Sequence, residues 1–350
     1  MRAIPIGRHV IGAGQRCFVI AEAGVNHNGD PELALALVDA AHRAGADCIK
    51  FQTFSADRVA TADAPKAPYQ NRTTEPGESQ LDMIRRLELP LDAYPALLRR
   101  CQELDLEFLS TPANVEDIEY LETLGVAAYK IASFQIAEPN FLRHVAGTGK
   151  PVLLSTGMAD LGEVERAVRV VQATGNDRLV LLQCTTSYPS TARDANLRAM
   201  RTLGDAFGTV VGYSDHVDGD ACCLAAVALG ASVIEKHLTL DRAMHGPDHA
   251  ASADPQEFTR LVSQIRDVEA ALGSGIKSPT ATELDNRPFM RRSVTTRVPI
   301  TAGSRIDASM LTVKRPGTGI SAADFDSVVG TSARHDLPAN RVVQWTDLVR

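Results

Sequence analysis

Between Cys17 and Gly273, eight short apolar runs recur, each ending in polar side chains and separated by helical patterns. The runs are "CFVIAEAG", "CIKFQTF", "EFLSTP", "AYKIAS", "PVLLSTG", "LVLLQCT", "TVVGYSDH" and "VIEKHLTL". None alternates polar with apolar, so they predict strands buried on both faces, as in a parallel sheet. Parallel strands need long crossovers, and amphipathic segments such as "PELALALVDAAHRAG", "NVEDIEYLETLG", "EVERAVRVVQATG" and "GDACCLAAVALG" supply them. Most close on glycine, and "NVEDIEYLETLG" opens with an Asn cap followed by acids. Eight strand–helix repeats in about 260 residues is the arithmetic of a (β/α)8 TIM barrel, an α/β fold. An open doubly wound sheet is the alternative, but "EAGVNHNG" after the first run lacks the GxGxxG spacing of a dinucleotide-binding turn.

Two stretches break the rhythm. "TFSADRVATADAPKAPYQNRTTEPGESQ" predicts a large loop after the second strand, and loops of that length in compact domains are often functional. After Gly273, "SGIKSPTATELDNRPFMRRS" reads as a polar linker. The strand-like runs "SVTTRVPI", "MLTVKRPGTGI" and "RVVQWTDL" follow, separated by turns. The expected organisation is a catalytic barrel over 1–273, a linker over 274–290 and a small all-β domain over 291–350. An all-β module of that size is marginal by itself, so docking is expected.

The 350 residues are 44% hydrophobic and 23% charged, ordinary for a soluble globular chain. A net charge of −7 argues against nucleic-acid or anionic-membrane partners. No run approaches the ~18 apolar residues of a membrane helix, and the N-terminus makes a poor signal peptide. Cys17, Cys48, Cys101, Cys184, Cys222 and Cys223 form no CxxC pair and read as reduced, buried thiols, so a cytoplasmic location is expected.

In a barrel, chemistry collects at the C-terminal ends of the strands. Those ends carry Glu22 with Asn26 and His27; Lys50 and Gln52; Ser110 and Thr111; Lys130, Ser133 and Gln135; Ser155 and Thr156; Gln183, Thr185, Thr186 and Tyr188; Ser214, Asp215 and His216; and Glu235, Lys236 and His237. Two lysines among hydroxyls suit a phosphate and a carboxylate. Two imidazoles on neighbouring strands suit a divalent metal, and carboxylates can move protons. A Schiff base on Lys50 or Lys130 is the competing chemistry. Glu235 and Lys236 are adjacent, so at most one faces the barrel interior.

"IAEAGVNHNGD", "IKFQTF", "FLSTP", "YKIAS", "LLSTGM", "CTTSYP", "GYSDH", "IEKHLTL" and "GPDHAASAD" appear in the order and approximate spacing of the sialic acid (nonulosonic acid) synthases, which the chain resembles over nearly its whole length. The tail "RRSV…LTVKRPGTGI" resembles that family's antifreeze-like (SAF) domain. The resemblance implies condensation of phosphoenolpyruvate with an open-chain N-acylated amino-sugar aldehyde, giving a nine-carbon 2-keto acid and phosphate. It implies a divalent metal, manganese or magnesium, held by His216 and His237. By motif, Lys50, Thr111, Lys130, Ser133, Ser155 and Ser214 would grip the phosphate and carboxylate, with Thr186 beside them. Glu22, Gln52, Tyr188 and Asp248 would face the sugar and the metal-bound water. Arg315 would reach the sugar's acyl group from the partner of a domain-swapped homodimer. Two positions depart from the family pattern. Gln135 stands where a glutamate usually contacts the sugar, and Thr186 replaces the asparagine of the sialic type, which looks closer to the pseudaminic acid branch. The same chemistry on a non-sialic aldehyde, or a non-catalytic sugar-binding role, are the alternatives.

Overall fold

The structure, a computed structural model, describes residues 3–75 and 77–349. It divides into two compact units, Met1–Gly273 and Ser274–Arg350. The first opens with a hairpin of β1 (Ile4–Ile6) and β2 (His9–Ile11). Eight parallel strands follow: β3 (Phe18–Gly24), β4 (Cys48–Thr53), β5 (Glu107–Pro112), β6 (Tyr129–Ile131), β7 (Val152–Ser155), β8 (Leu179–Cys184), β9 (Val210–Asp215) and β10 (Val233–His237). Their hydrogen-bonded order is β5-β4-β3-β10-β9-β8-β7-β6, and β5 and β6 lie side by side across the remaining seam. The result is a nearly closed TIM-like barrel.

Alternation along each strand sorts side chains into two layers. Outward-facing residues such as Val19, Ala21, Ile49 and Ile234 pack beneath the helices. Inward-facing Phe18, Ile20, Cys48, Leu109, Val180, Leu182 and Val233 fill the N-terminal end of the barrel, where hairpin residues Ile4, Ile6 and Ile11 join them. With that end packed by hydrocarbon, polar inward residues collect at the opposite rim. The helices are locally encoded. Asp30 accepts from Glu32 N at 2.8 Å to cap Pro31–Arg43, whose Ala34, Leu37, Val38 and Ala41 form the buried stripe. Gly212 on β9 has a steric reason: a Cβ there would lie 2.5 Å from Val233 O, so a side chain would push β9 off β10.

The long segment after β4 folds into short helices, Ala56–Val59, Gln70–Thr73 and Gln80–Arg86. All six cysteines are buried free thiols. Among the described residues no helix is long and apolar enough to cross a membrane.

In the second unit the segment read as a linker carries a helix, Ala281–Met290, because Thr280 and Glu283 make reciprocal capping bonds. Beyond it, β11 (Ser293–Thr296) pairs antiparallel with β12 (Leu311–Lys314), and β13 (Ser332–Ala333) with β14 (Leu348–Val349). "RVVQWTDL" is mostly turn rather than strand, with a tight helical turn at Trp345–Asp347. Val294, Ile300, Ile306, Leu311, Val328, Leu337 and Val343 form this unit's own core.

Candidate active site

A cavity of about 520 Å³ opens at the C-terminal rim of the barrel. Register explains its floor. Residues paired across parallel strands face the same way, and His237 pairs with Glu22, Glu22 with Lys50, and Glu235 with Ser214. All five point inward and line the cavity. Lys50 Nζ lies 2.5 Å from Glu22 Oε2 and 3.8 Å from Glu235 Oε2, and it donates to Thr111 Oγ1 at 3.1 Å. Lys130 Nζ lies 3.5 Å from Glu235 Oε1, which also accepts from Ser214 Oγ at 2.8 Å. Gln52 Nε2 donates to Glu22 Oε1 at 3.3 Å. Both lysines are almost wholly buried, at 2% and 4% exposure.

Burial pushes both carboxyls upward, but their partners separate them. Glu235 has Lys130 and Lys50 on either side and the Ser214 hydroxyl, and is held down to about 2. Glu22 is drawn down by one close lysine, is opposed by Glu235, and stands at about 7. One carboxylate therefore stays ionised and fixes the lysines, and the other is poised to exchange a proton near neutrality.

The imidazoles lie beside this floor, His237 on the same strand as Glu235 and His216 just past the neighbouring strand. His216 and His237 have ring centroids 5.3 Å apart. His216 Nδ1 donates to Thr185 O at 2.7 Å, which leaves Nε2 as the free lone pair. His237 Nδ1 is buried without a partner, and burial, then the neighbouring His216 and Lys50, pushes this imidazole well below its usual range. A buried orphan nitrogen is costly unless a ligand satisfies it. Metal–nitrogen bonds of about 2.1 Å put two rings sharing one ion roughly 5 Å apart, so the pair fits a cation. Among the described residues no cluster of three or more His, Cys, Asp or Glu gathers around a single point.

Asp248, from the loop after β10, is buried against the same cavity and pushed up to about 6. Tyr188 packs on His216 at 4.2 Å and on Tyr69 at 5.0 Å between ring centroids. Tyr69 belongs to the long segment after β4, which also contributes Phe54, Val59, Met83 and Ile84 to an apolar wall. Ser133, Ser155 and Thr186 line the remaining rim. Ser155 Oγ is buried and unpartnered, while Ser133 Oγ accepts from Gly157 N at 3.0 Å.

One expected residue lies elsewhere. Gln135 is fully buried but does not reach the cavity. Its Oε1 accepts from Ala132 N at 3.1 Å, and its Nε2 donates to Pro112 O and Ala113 O at 3.0 and 3.2 Å. It joins the β5 loop to the turn after β6, so its amide is spent on backbone and not on an acceptor. Gln135→Glu removes both donors and is expected to destabilise the fold by about 1–3 kcal/mol per carbonyl left unpaired, without gaining turnover. Denaturant melts beside a phosphate-release assay check both halves. Arg315 belongs to the C-terminal unit, where its Nε donates to Met290 O at 3.1 Å.

Sequence reasoning missed Glu235 as a site residue. Its parity with His237, two residues on, was the available signal. Asp215 and Lys236 point the other way and pair at 2.7 Å behind the barrel wall. Cys184, one of the thiols expected to be buried, also lines the cavity, with its Sγ 3.9 Å from His216 Nδ1, brought there by the β8–β9 pairing.

A TIM-like barrel with two lysines, three carboxyls and two imidazoles at its rim is the equipment of a barrel enzyme acting on an anionic substrate. The profile of the NeuB family matches residues 37–277, and that of the SAF domain matches 291–349. The chain belongs to the NeuB family, whose members include acid synthases, and it is an enzyme of that kind. It is 44% identical over 332 residues to the N,N'-diacetyllegionaminic acid synthase of Campylobacter jejuni, covering 94% of this chain and 99% of that one. It is 32% identical over 333 residues to the pseudaminic acid synthase of Helicobacter pylori, covering 95% and 98%. The N-acetylneuraminic acid synthetase of Leptospira borgpetersenii, solved with citrate, superposes with a TM-score of 0.72 at 36% identity, covering 81% of this chain and 95% of that one.

Proposed function

We propose that this enzyme joins phosphoenolpyruvate to the open-chain aldehyde of a doubly N-acylated amino sugar, in the manner of the legionaminic relatives. The observation that carries the reading is the buried pair Lys50 and Lys130, held 3.8 and 3.5 Å from one ionised Glu235 at the floor of the cavity. Two desolvated ammonium groups beside free hydroxyls grip a small polyanion. Lys50 exchanges Glu22 for the incoming phosphate or carboxylate, and Ser155 Oγ gains the partner it lacks. Tyr188, Gln52 and Asp248 face the acceptor, whose acyl methyls suit the wall of Phe54, Val59, Met83 and Ile84.

In the reaction, C3 of phosphoenolpyruvate bonds to the aldehyde carbon and the aldehyde oxygen takes a proton. Water adds at C2, the C2–O bond to phosphate breaks, and a nine-carbon 2-keto acid and inorganic phosphate leave. Glu22, near neutrality in its proton affinity, takes the proton from that water. A divalent cation held by His216 and His237 would supply Lewis-acid polarisation of the aldehyde oxygen. Arg315 is proposed to complete the acceptor site from a second copy of the chain; a chain that sediments as a monomer at assay concentration would remove that part. The expected setting is the cytoplasm.

The direct test is phosphate release from phosphoenolpyruvate with manganese and a panel of N-acylated aldehyde sugars. Release is expected with a di-N-acetylated acceptor; none with any sugar overturns the reading. Chelation is expected to lower activity by at least about 10³-fold, reversibly on adding manganese. Activity that survives chelation but is lost to borohydride would indicate a lysine Schiff base instead.

A further inference from the structure

His216 lies one residue past the end of β9, so the sheet ladder does not fix where its ring points. At the cavity side Thr185 O accepts from Nδ1 and Tyr188 packs on the ring, while the backbone that carries the ring is held from behind the barrel wall. Asp215 and Lys236 are the residues immediately before His216 and His237, they pair in register, and both face away from the cavity. They are 1% and 4% exposed, and Lys236 Nζ lies 2.7 Å from Asp215 Oδ2. The same two side chains hold both ends of the residue after His216. Val217 N donates to Asp215 Oδ1 at 3.0 Å, and Lys236 Nζ donates to Val217 O at 2.7 Å. The carboxylate is itself fully occupied, accepting from Tyr213 OH at 2.9 Å and from Cys223 Sγ at 3.1 Å. His216 O accepts from Ser190 N at 2.7 Å. The residues on either side of the first imidazole, Asp215 through its carboxylate and Val217 through its carbonyl, are thus both tied to Lys236, which precedes the second.

We infer that the Asp215–Lys236 pair is a positioning device that sets the spacing and aim of His216 relative to His237. This rests on the reading above, in which the two imidazoles share a cation. Stability alone is a weak reason for such a pair, because apolar residues of similar volume serve a barrel wall as well or better. An apolar pair leaves Val217 N and O without their side-chain partners, however, and frees the turn that carries His216. Neither residue touches the cavity, so both act only through the histidines. Lost positioning weakens cation binding without changing the anion floor of Lys50 and Lys130.

The test is Mn2+ titration of the full chain, followed by the electron paramagnetic resonance signal of free Mn2+, for wild type and for D215L/K236M. The double variant is expected to bind Mn2+ more than fivefold more weakly. Its metal-free affinity for phosphoenolpyruvate is expected within threefold of wild type, with an unchanged far-UV circular dichroism spectrum. K236R, which keeps a donor for both Asp215 and Val217 O, is expected to recover most of the Mn2+ affinity. A fivefold or smaller loss in the double variant overturns the proposal. If the double variant does not fold, D215N removes the charge, keeps the acceptor for Val217 N, and is read by the same threshold. A wild-type chain that binds no Mn2+ removes the two-imidazole site and this inference with it. Equal binding by wild type and variant removes only the inference.

Discussion

Glu22→Gln is expected to slow the condensation by about 10²–10⁴-fold, the range spanned by a positioned proton-transfer group. The size follows from the site's asymmetry. Glu235 is ionised between two lysines and has no proton to exchange near neutrality, whereas Glu22 stands at about 7 with one close lysine. A carboxyl raised to about 7 is protonated below that pH and ionised above it. Acting as a base toward water, it produces a rate that climbs from about pH 5.5 and levels above about 7.5. Glutamine keeps the volume and a hydrogen bond to Lys50 but cannot accept the proton, so that limb vanishes in the variant. Ionisation of phosphoenolpyruvate is common to both enzymes and leaves its own mark on both profiles. The measurement is kcat and kcat/KM from pH 5.5 to 8.5. A variant within threefold of wild type, or one that keeps the same acid limb, would rule Glu22 out as the base.

The barrel was legible because a parallel strand buried on both faces leaves an unmistakable apolar run, and because such runs end at the rim where polar side chains are tolerated. Lys50, Lys130, Ser214, His216 and His237 were found by position alone. Glu235 was not, since its neighbour Lys236 is equally charged; its parity with His237 was the usable signal, and the pairing of Glu235 with Ser214 and of Lys236 with Asp215 bears it out. Gln135 misled because it follows β6 in a tight helical turn, where strand parity no longer tells direction. Tyr69 and the apolar wall were invisible for a different reason. Their segment has weak local periodicity and is placed by distant partners, such as Tyr188 under Tyr69 and Pro247 O near Thr73 Oγ1. In the C-terminal unit, "RVVQWTDL" is apolar enough for a strand, yet the reciprocal bond from Gln344 N to Asp347 Oδ2 closes it into a turn.

Asp248→Asn should make the metal-free protein more stable while making it a worse enzyme. Asp248 is buried, and burial raises its carboxyl from an ordinary 3.8 to about 6, only partly offset by His216. The sign follows from linkage. The folded state binds this proton more tightly than the unfolded state, so its contribution is fully present below about 3.8 and is lost as pH rises through about 6. At pH 8 the ionised side chain then costs up to about 3 kcal/mol, a shift of roughly two units at 1.36 kcal/mol each. Asparagine cannot ionise and is spared that cost. Denaturant unfolding of chelator-treated protein should show a stability gap between variant and wild type that is small near pH 4 and widens toward pH 8. A gap that is flat with pH would place the titration elsewhere. For catalysis the same substitution withdraws a charged acceptor from the acceptor-facing wall. Hydrogen bonds to charged groups are worth about 1.5–3 kcal/mol, so kcat/KM should fall at least about tenfold. A carboxylate kept at an energetic cost in the resting fold is one whose charge the proposed acceptor, and the cation proposed beside it, would use.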